Sequence, residues 1–227
     1  MHESQVPPPL GPLYNEVFKA SQGMLTELNR RNYLRKGLSH GDRQKLKNVW
    51  EMTRFIGQTL NYLYTLFDPK NPSRQSKVTA LNAASMTNDH LTSLWVQSML
   101  VYFLTNIESI FRFTLVFFLG TEFFKNARSQ PKYMTASRLL DNLRKIYPQA
   151  KVFDKAYNLK LRNSIAHGAF WFDSGELYFT SDPHLLPGTV QHLSLVDLMK
   201  DSMKANVGAM AFIAALDDEI NKGTFHP

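Results

Sequence analysis

The chain has 227 residues, enough to bury one substantial core or two small ones. It contains no cysteine, which excludes a disulfide scaffold and any thiolate zinc site. Twenty-six lysines and arginines against nineteen acidic residues give a net charge of +7, so a polyanionic partner fits, although many basic proteins bind no nucleic acid.

Residues 1–12 hold four prolines and a glycine and read as a flexible or extended arm. Neither a basic stretch nor an apolar run opens the chain, so no secretory signal is expected, and the expected location is the cytoplasm. From Leu13 to about Leu34, Val17, Met24, Leu25 and Leu28 predict a short amphipathic helix. It leads into Arg30-Arg31-Asn32-Tyr33-Leu34-Arg35-Lys36, which reads as a solvated helix end or as a phosphate track with Tyr33 stacking on a base. Gly37-Leu38-Ser39-His40-Gly41 matches Gly-x-Ser-x-Gly letter for letter, but no strand precedes it as a hydrolase elbow requires. It reads as a loop, with Asp42 capping the helix that follows.

That helix shows the clearest periodicity, with Leu46, Val49, Thr53, Ile56, Leu60, Leu63 and Phe67 on one face, and Asp68-Pro69 ends it. Residues 70–90 are polar and read as a loop or weak helix, so a loose boundary falls at 69–90. A long helix is expected from about Leu91 to Lys125, in the middle of a bundle because it is apolar on nearly every side. Its stretch from Leu94 to Leu119 is the best membrane candidate, but Asn106, Glu108 and Arg112 are costly in hydrocarbon, and a buried core helix with no membrane partner is expected. Glu108 and Arg112, four residues apart, are placed to pair along the helix, or Glu108 reaches across the bundle to another cation.

Pro131 interrupts the pattern, Thr135 opens a short helix through Leu139, Leu140, Leu143 and Ile146, and Pro148 stops it. A helix then runs from about Lys151, with Lys151, Lys155 and Lys160 off its apolar face and Tyr157 and Asn158 between them. Two readings stand for Lys155, Tyr157, Lys160 and Arg112: weak RNA contacts or an ordinary solvated face. The helix closes on Leu161-Arg162-Asn163-Ser164-Ile165-Ala166-His167-Gly168, where charged and titratable groups interrupt an apolar pattern. Arginine supplies a fork suited to phosphate, asparagine a donor and acceptor, and histidine, with an ordinary pKa of about 6.5, a group that takes or gives a proton near neutrality. Residues five apart on a regular helix point roughly 140° from each other, so one uninterrupted helix cannot aim both side chains at one phosphate. Either the helix ends near Gly168 or a two-fold axis brings a second motif alongside; a plain helix-end pair of cations is the alternative.

Arg162-Asn163-x-x-x-His167, with Leu161 before it and Ala166-His167-Gly168 around it, resembles the signature of the HEPN superfamily, all-helical domains found among toxins, abortive-infection systems and CRISPR-associated ribonucleases. The resemblance implies Arg162 and His167 as a catalytic pair helped by Asn163, RNA as substrate, no cofactor or metal, and a homodimer with a composite active site. It also implies a toxin or phage-defence role with a possible antitoxin or regulatory protein. On this reading Glu108 either reaches across the bundle to fix Arg162 or only pairs with Arg112 along its own helix. A tyrosine two places after the histidine marks one branch of the family; this chain has Ala169 there, so the regulation tied to that tyrosine is not carried over.

After the motif, Phe170-Trp171-Phe172-Asp173-Ser174-Gly175-Glu176-Leu177-Tyr178-Phe179 predicts a β-hairpin that closes a helical core or stacks on bases. A loop with Pro183 and Pro187 leads to the last helix, where Ser194 and Asp197 resemble a capping box and Leu195, Leu198, Met199, Val207, Met210, Ile213 and Leu216 form the apolar side. The expected fold is all-α: a bundle of about five main helices with a small β-hairpin inserted after the signature helix. The expected division is an arm and short helix at 1–41 and a HEPN-like helical domain at 42–227. Two functions stand: a metal-independent endoribonuclease, or a catalytically inactive HEPN-like module that binds RNA or protein.

Overall fold

A computed structural model describes residues 6–67, 88–173, 176–180, 182 and 188–223. Its helices are α1 (Gly11–Arg30), α2 (His40–Phe67), α3 (Asn88–Leu104) continued by a π-helical segment (Thr105–Phe113) and α4 (Thr114–Phe118), then α5 (Thr121–Asn126), α6 (Ala136–Ile146), α7 (Phe153–Ala156), α8 (Leu159–Ala166) and α9 (Leu195–Asn221). Strands β1 (Phe170–Asp173), β2 (Glu176–Phe179) and β3 (Gln191–Ser194) form one small antiparallel sheet in the order β1-β2-β3. The mostly helical class matches the sequence. The expected hairpin is instead two-thirds of a sheet, because Gln191-His192-Leu193-Ser194 pairs with β2 from beyond the proline-containing loop. Most of that loop, the Ser174-Gly175 turn and the expected boundary at 69–90 lie outside the described residues or nearly so.

The centre of the bundle is α9 rather than the helix after Leu91. Every residue from Ala205 to Leu216 is buried, and α9 packs on α1, α2, α3, the π segment and α7. Small residues make this possible: a Cβ on Gly208 would lie 2.7 Å from Ala156 Cβ, so the α9–α7 approach requires glycine. α1 belongs to the same core, with Val17, Met24, Leu25 and Leu28 fully buried and Gln22 Nε2 donating to Asp218 on α9 (2.5 Å). Asn206 ties three helices together, its Nδ2 donating to Thr53 O (3.1 Å) and Asn106 Oδ1 (3.1 Å) inside the core. Buried amides of this kind are tolerated because they are paired.

The ends of the elements follow local chemistry. Ser39 is the N-cap of α2: its hydroxyl accepts from Asp42 N–H (3.2 Å), while Asp42 Oδ2 accepts from Ser39 N–H (3.0 Å) and hydroxyl (2.9 Å). Those bonds hold the Asp42 carboxyl below the usual carboxylate range. The Gly-x-Ser-x-Gly stretch is thus a helix start, and Asp42 shares the expected capping with Ser39. Thr135 caps α6 by accepting from Arg138 N–H (3.3 Å), and Ser194 caps α9 by accepting from Asp197 N–H (3.1 Å), as their spacing suggests.

The long central stretch departs from expectation twice. It breaks at Leu119-Gly120, where Gly120 N–H donates to Tyr33 O (2.7 Å) and Arg35 N–H to Phe118 O (2.8 Å). A Cβ on Gly120 would sit 3.3 Å from Leu34 O, a close approach that suits glycine. Within it, the π segment widens the turn, so a face extrapolated at 3.6 residues per turn drifts. Counting at 3.6 residues per turn puts Leu94, Val101, Phe111 and Leu115 on one face, yet Leu94 and Val101 are exposed while Phe111 and Leu115 are buried. Residues Ser93–Phe118 are long and apolar enough to cross a membrane by length and composition, yet 44% of the most apolar window is buried, and this leaves Leu94, Val101 and Phe113 open on the other side.

Candidate functional site

α8 is placed by its first turn. Asn158 Oδ1 accepts from Leu161 N–H (3.1 Å) as the N-cap, and its Nδ2 donates to Asp201 Oδ2 on α9 (3.0 Å). The expected continuous helix from Lys151 is therefore broken: a 3-10 turn (Pro148–Val152) and α7 precede an extended Tyr157, and Asn158 restarts the helix. Asn at the cap position competes for the backbone and favours this break. Leu161 and Ser164 then face inward and are fully buried, which turns Arg162 towards the π segment.

There Glu108 bridges two cations. Its Oε1 accepts from Arg162 Nε and its Oε2 from Arg112 Nε. Both arrangements open to the sequence are thus realised by one carboxylate: the pair along the helix and the reach across the bundle. Arg162 Nη1 also donates to Asn163 Oδ1 (2.9 Å), which accepts in turn from Ser137 Oγ (3.4 Å). Arg112 Nη1 donates to Met134 O (3.3 Å). Neither Nη2 has a protein acceptor among the described residues. The cluster carries two guanidiniums on one carboxylate, with side chains 11% (Arg162), 24% (Arg112) and 22% (Glu108) exposed. Being half-buried, the excess positive charge is screened less than on an open surface, and guanidinium donors of this kind suit an anion chemically.

His167 closes α8. It is the C-cap, Gly168 follows at φ +68°, Gly168 N–H donates to Ile165 O (3.1 Å) and Ala169 N–H to Ser164 O (2.8 Å). This is a Schellman end, which only glycine enters cheaply, and it ends the helix directly after His167. His167 is exposed, and among the described residues its ring makes no hydrogen bond to Arg162, Asn163 or Glu108.

Of the remaining expected contacts, Tyr157 is a correction. It is 1% exposed and packs in an aromatic cluster with Phe111 (5.0 Å between centroids) and Phe153 (5.8 Å), so it cannot touch RNA. Burial pushes its phenol well above the ordinary value. The break at Tyr157-Asn158 moved it from the wet face that a continuous helix would give it. Lys155 pairs with Glu16 on α1 (2.6 Å), away from a phosphate role, while Lys160 is exposed. Arg112 enters the cluster itself, and Ser137 and Met134 O, which the sequence did not mark, complete it. Met134 directly precedes the Thr135 cap and Ser137 stands in the first turn of α6, off its apolar face. The sheet divides its aromatics: Leu177 and Phe179 pack inward, while Trp171, Tyr178 and His192 stack side by side on the outer face at 5.6 and 5.8 Å.

No protein-family model, curated protein or solved structure matches the chain.

Proposed function

We propose that the chain is a metal-independent endoribonuclease of the HEPN type, working as a symmetric dimer. The observation that carries this reading is Glu108 holding both Arg162 and Arg112, each with an unused Nη2, with Asn163 beside Arg162 and an exposed His167 at the end of the same short helix. His167 of one subunit takes the proton of an RNA 2′-hydroxyl. The 2′-oxygen attacks the adjacent phosphorus in line, and the 5′-oxygen leaves with a proton from the protonated imidazole of the second subunit. Arg162, with Arg112 beside it, offsets the charge that builds on the phosphoryl oxygens. The products are a 2′,3′-cyclic phosphate and a 5′-hydroxyl.

The dimer has support in the exposed Leu94, Val101 and Phe113, which lie on the same continuous helix as Glu108 and Arg112. The same resemblance extends the proposal to a cytoplasmic toxin or phage-defence effector restrained by a regulatory protein. Incubating the protein with a defined single-stranded RNA, with and without chelator, and analysing the ends of the fragments tests the chemistry. Cyclic phosphate ends at an unchanged rate in chelator are expected; 3′-hydroxyl ends, or loss of cutting in chelator, refute it.

A second reading has one observation in its favour. Arg162 already spends two donors on Glu108 and Asn163, and nothing in one chain fixes the His167 ring, an arrangement that suits an inactive module retaining an anion site. Salt-dependent RNA binding without cleavage selects it.

A further inference from the structure

A groove of about 660 Å³ lies between α5 and the start of α6, lined by Lys125, Arg128 and Arg138 with the ring of Tyr133. Only Lys125 of these cations has a carboxylate partner among the described residues, Glu122 at 2.6 Å. Tyr133 is 58% exposed, with Lys132 Nζ 4.8 Å from its ring centre. At Thr121 the groove meets a second one, of about 470 Å³, lined by Arg35 and Lys36. Its other end adjoins the candidate site through the chain: Met134 O accepts from Arg112, and Ser137, next to Arg138, bonds Asn163.

Arg128 stands at φ +48°. Arg128 N–H donates to Lys125 O (3.1 Å) and Ser129 N–H to Phe124 O (3.1 Å), which makes it the left-handed residue of a Schellman end after α5. Glycine fills that position at lower conformational cost, and an arginine there is strained. A glycine there would relieve the backbone, so what the arginine contributes must come from its side chain.

We propose that this groove binds the sugar-phosphate backbone of single-stranded RNA flanking the bond cut at Arg162 and His167, with Tyr133 stacking on a base. The proposal rests on the nuclease reading. Cations spaced along a groove with an interleaved aromatic suit a single strand, whose bases are free to stack; a duplex presents only its backbone. The sequence hid this track because its cations come from three separate short segments.

The test is fluorescence anisotropy with a labelled single-stranded 2′-O-methyl oligouridine, which lacks the attacking hydroxyl and stays uncut. The Arg128→Gly/Arg138→Gln variant is expected to bind at least about tenfold more weakly. Its plot of log affinity against log salt should flatten by about 1.4, from about 0.7 for each lost phosphate contact. Arg128→Gly alone is expected to raise or preserve the thermal midpoint while weakening binding, an outcome that a structural role for the arginine does not give. Lys145→Gln/Lys151→Gln, the same charge change in the last turn of α6 and the 3-10 turn after it, is expected to cost less than threefold. The proposal is overturned if the groove variant binds like the parent, if the control loses as much, or if a duplex of equal length binds as tightly as the single strand. Groove-dependent binding by a parent that cuts no RNA leaves the groove standing and removes the nuclease reading. His167-dependent cutting with full activity in the groove variant does the reverse.

Discussion

Replacing Glu108 with glutamine keeps a hydrogen-bonding side chain of the same size between Arg112 and Arg162 but removes the charge that holds them together. If Glu108 positions the phosphate-binding fork, Glu108→Gln lowers kcat roughly 10- to 100-fold with unchanged far-ultraviolet circular dichroism, because a small misplacement of a charge-stabilising group costs that much. A self-satisfied helix pair predicts no change in rate. Arg162→Ala removes the fork outright and is expected to cost roughly 10²- to 10³-fold. In the first turn of α9, Asp197 illustrates the pH response of the fold. The Ser194 hydroxyl, with Lys200 close by (3.0 Å), holds its carboxyl below the usual range. A depressed folded-state pKa contributes stability above the unfolded value, and that contribution is lost as pH falls through the folded value. Asp197→Ala is therefore expected to lower the thermal midpoint at pH 7, with the gap from the parent narrowing below about pH 3.9. A gap that is constant across this range would show that the carboxylate charge contributes nothing.

The long α3–α4 helix carries Glu108 and Arg112, but a short element places Arg162 and His167. α8 is eight residues long, too short to be stable alone, and depends on the Asn158 cap at one end and Gly168 at the other. Asn158→Ala removes the cap and the tie to Asp201, and is expected to cost about 1 kcal/mol, a shift of roughly 2–4 °C in a chain of this size. Gly168→Ala meets no steric obstacle, since a Cβ there has nothing within 4 Å, so its cost is the left-handed backbone alone, about 1 kcal/mol. Calorimetry of the two variants checks both. The capping signals at Thr135 and Ser194, the start and stop of α6 and the inward face of α2 as far as Leu60 were legible because each follows from residues a few positions apart, whereas at the start of α2 the sequence pointed to Asp42 where Ser39 is the cap. Glu108 was legible as a residue needing a cation, with Arg112 and Arg162 both open as the partner, because an acid in an apolar helix must be paired. Three features were not. The π segment breaks the period on which faces are read, Asn158 interrupts a helix whose residues otherwise continue it, and β3 pairs across a loop with no local hairpin signal. The central place of α9 was missed because alanine and glycine make a weak hydrophobic stripe yet let neighbours approach on every side.

At the scale of the whole molecule, the net charge of +7 and the one-sided burial of the Ser93–Phe118 stretch set the terms of association. A charged cluster with exposed apolar residues on the same continuous helix is expected to give a dimer in sedimentation, and Phe113→Glu or Val101→Glu is expected to shift it towards monomer and to lower cleavage in proportion. Full activity in a strictly monomeric variant would separate the chemistry from the symmetry. The most direct measurement is the rate of RNA cleavage by parent and His167→Ala, compared at equal dimer content on one defined substrate. Loss of roughly 10²-fold or more in the variant, with RNA binding retained, is expected when the imidazole moves the proton. Equal rates would contradict it.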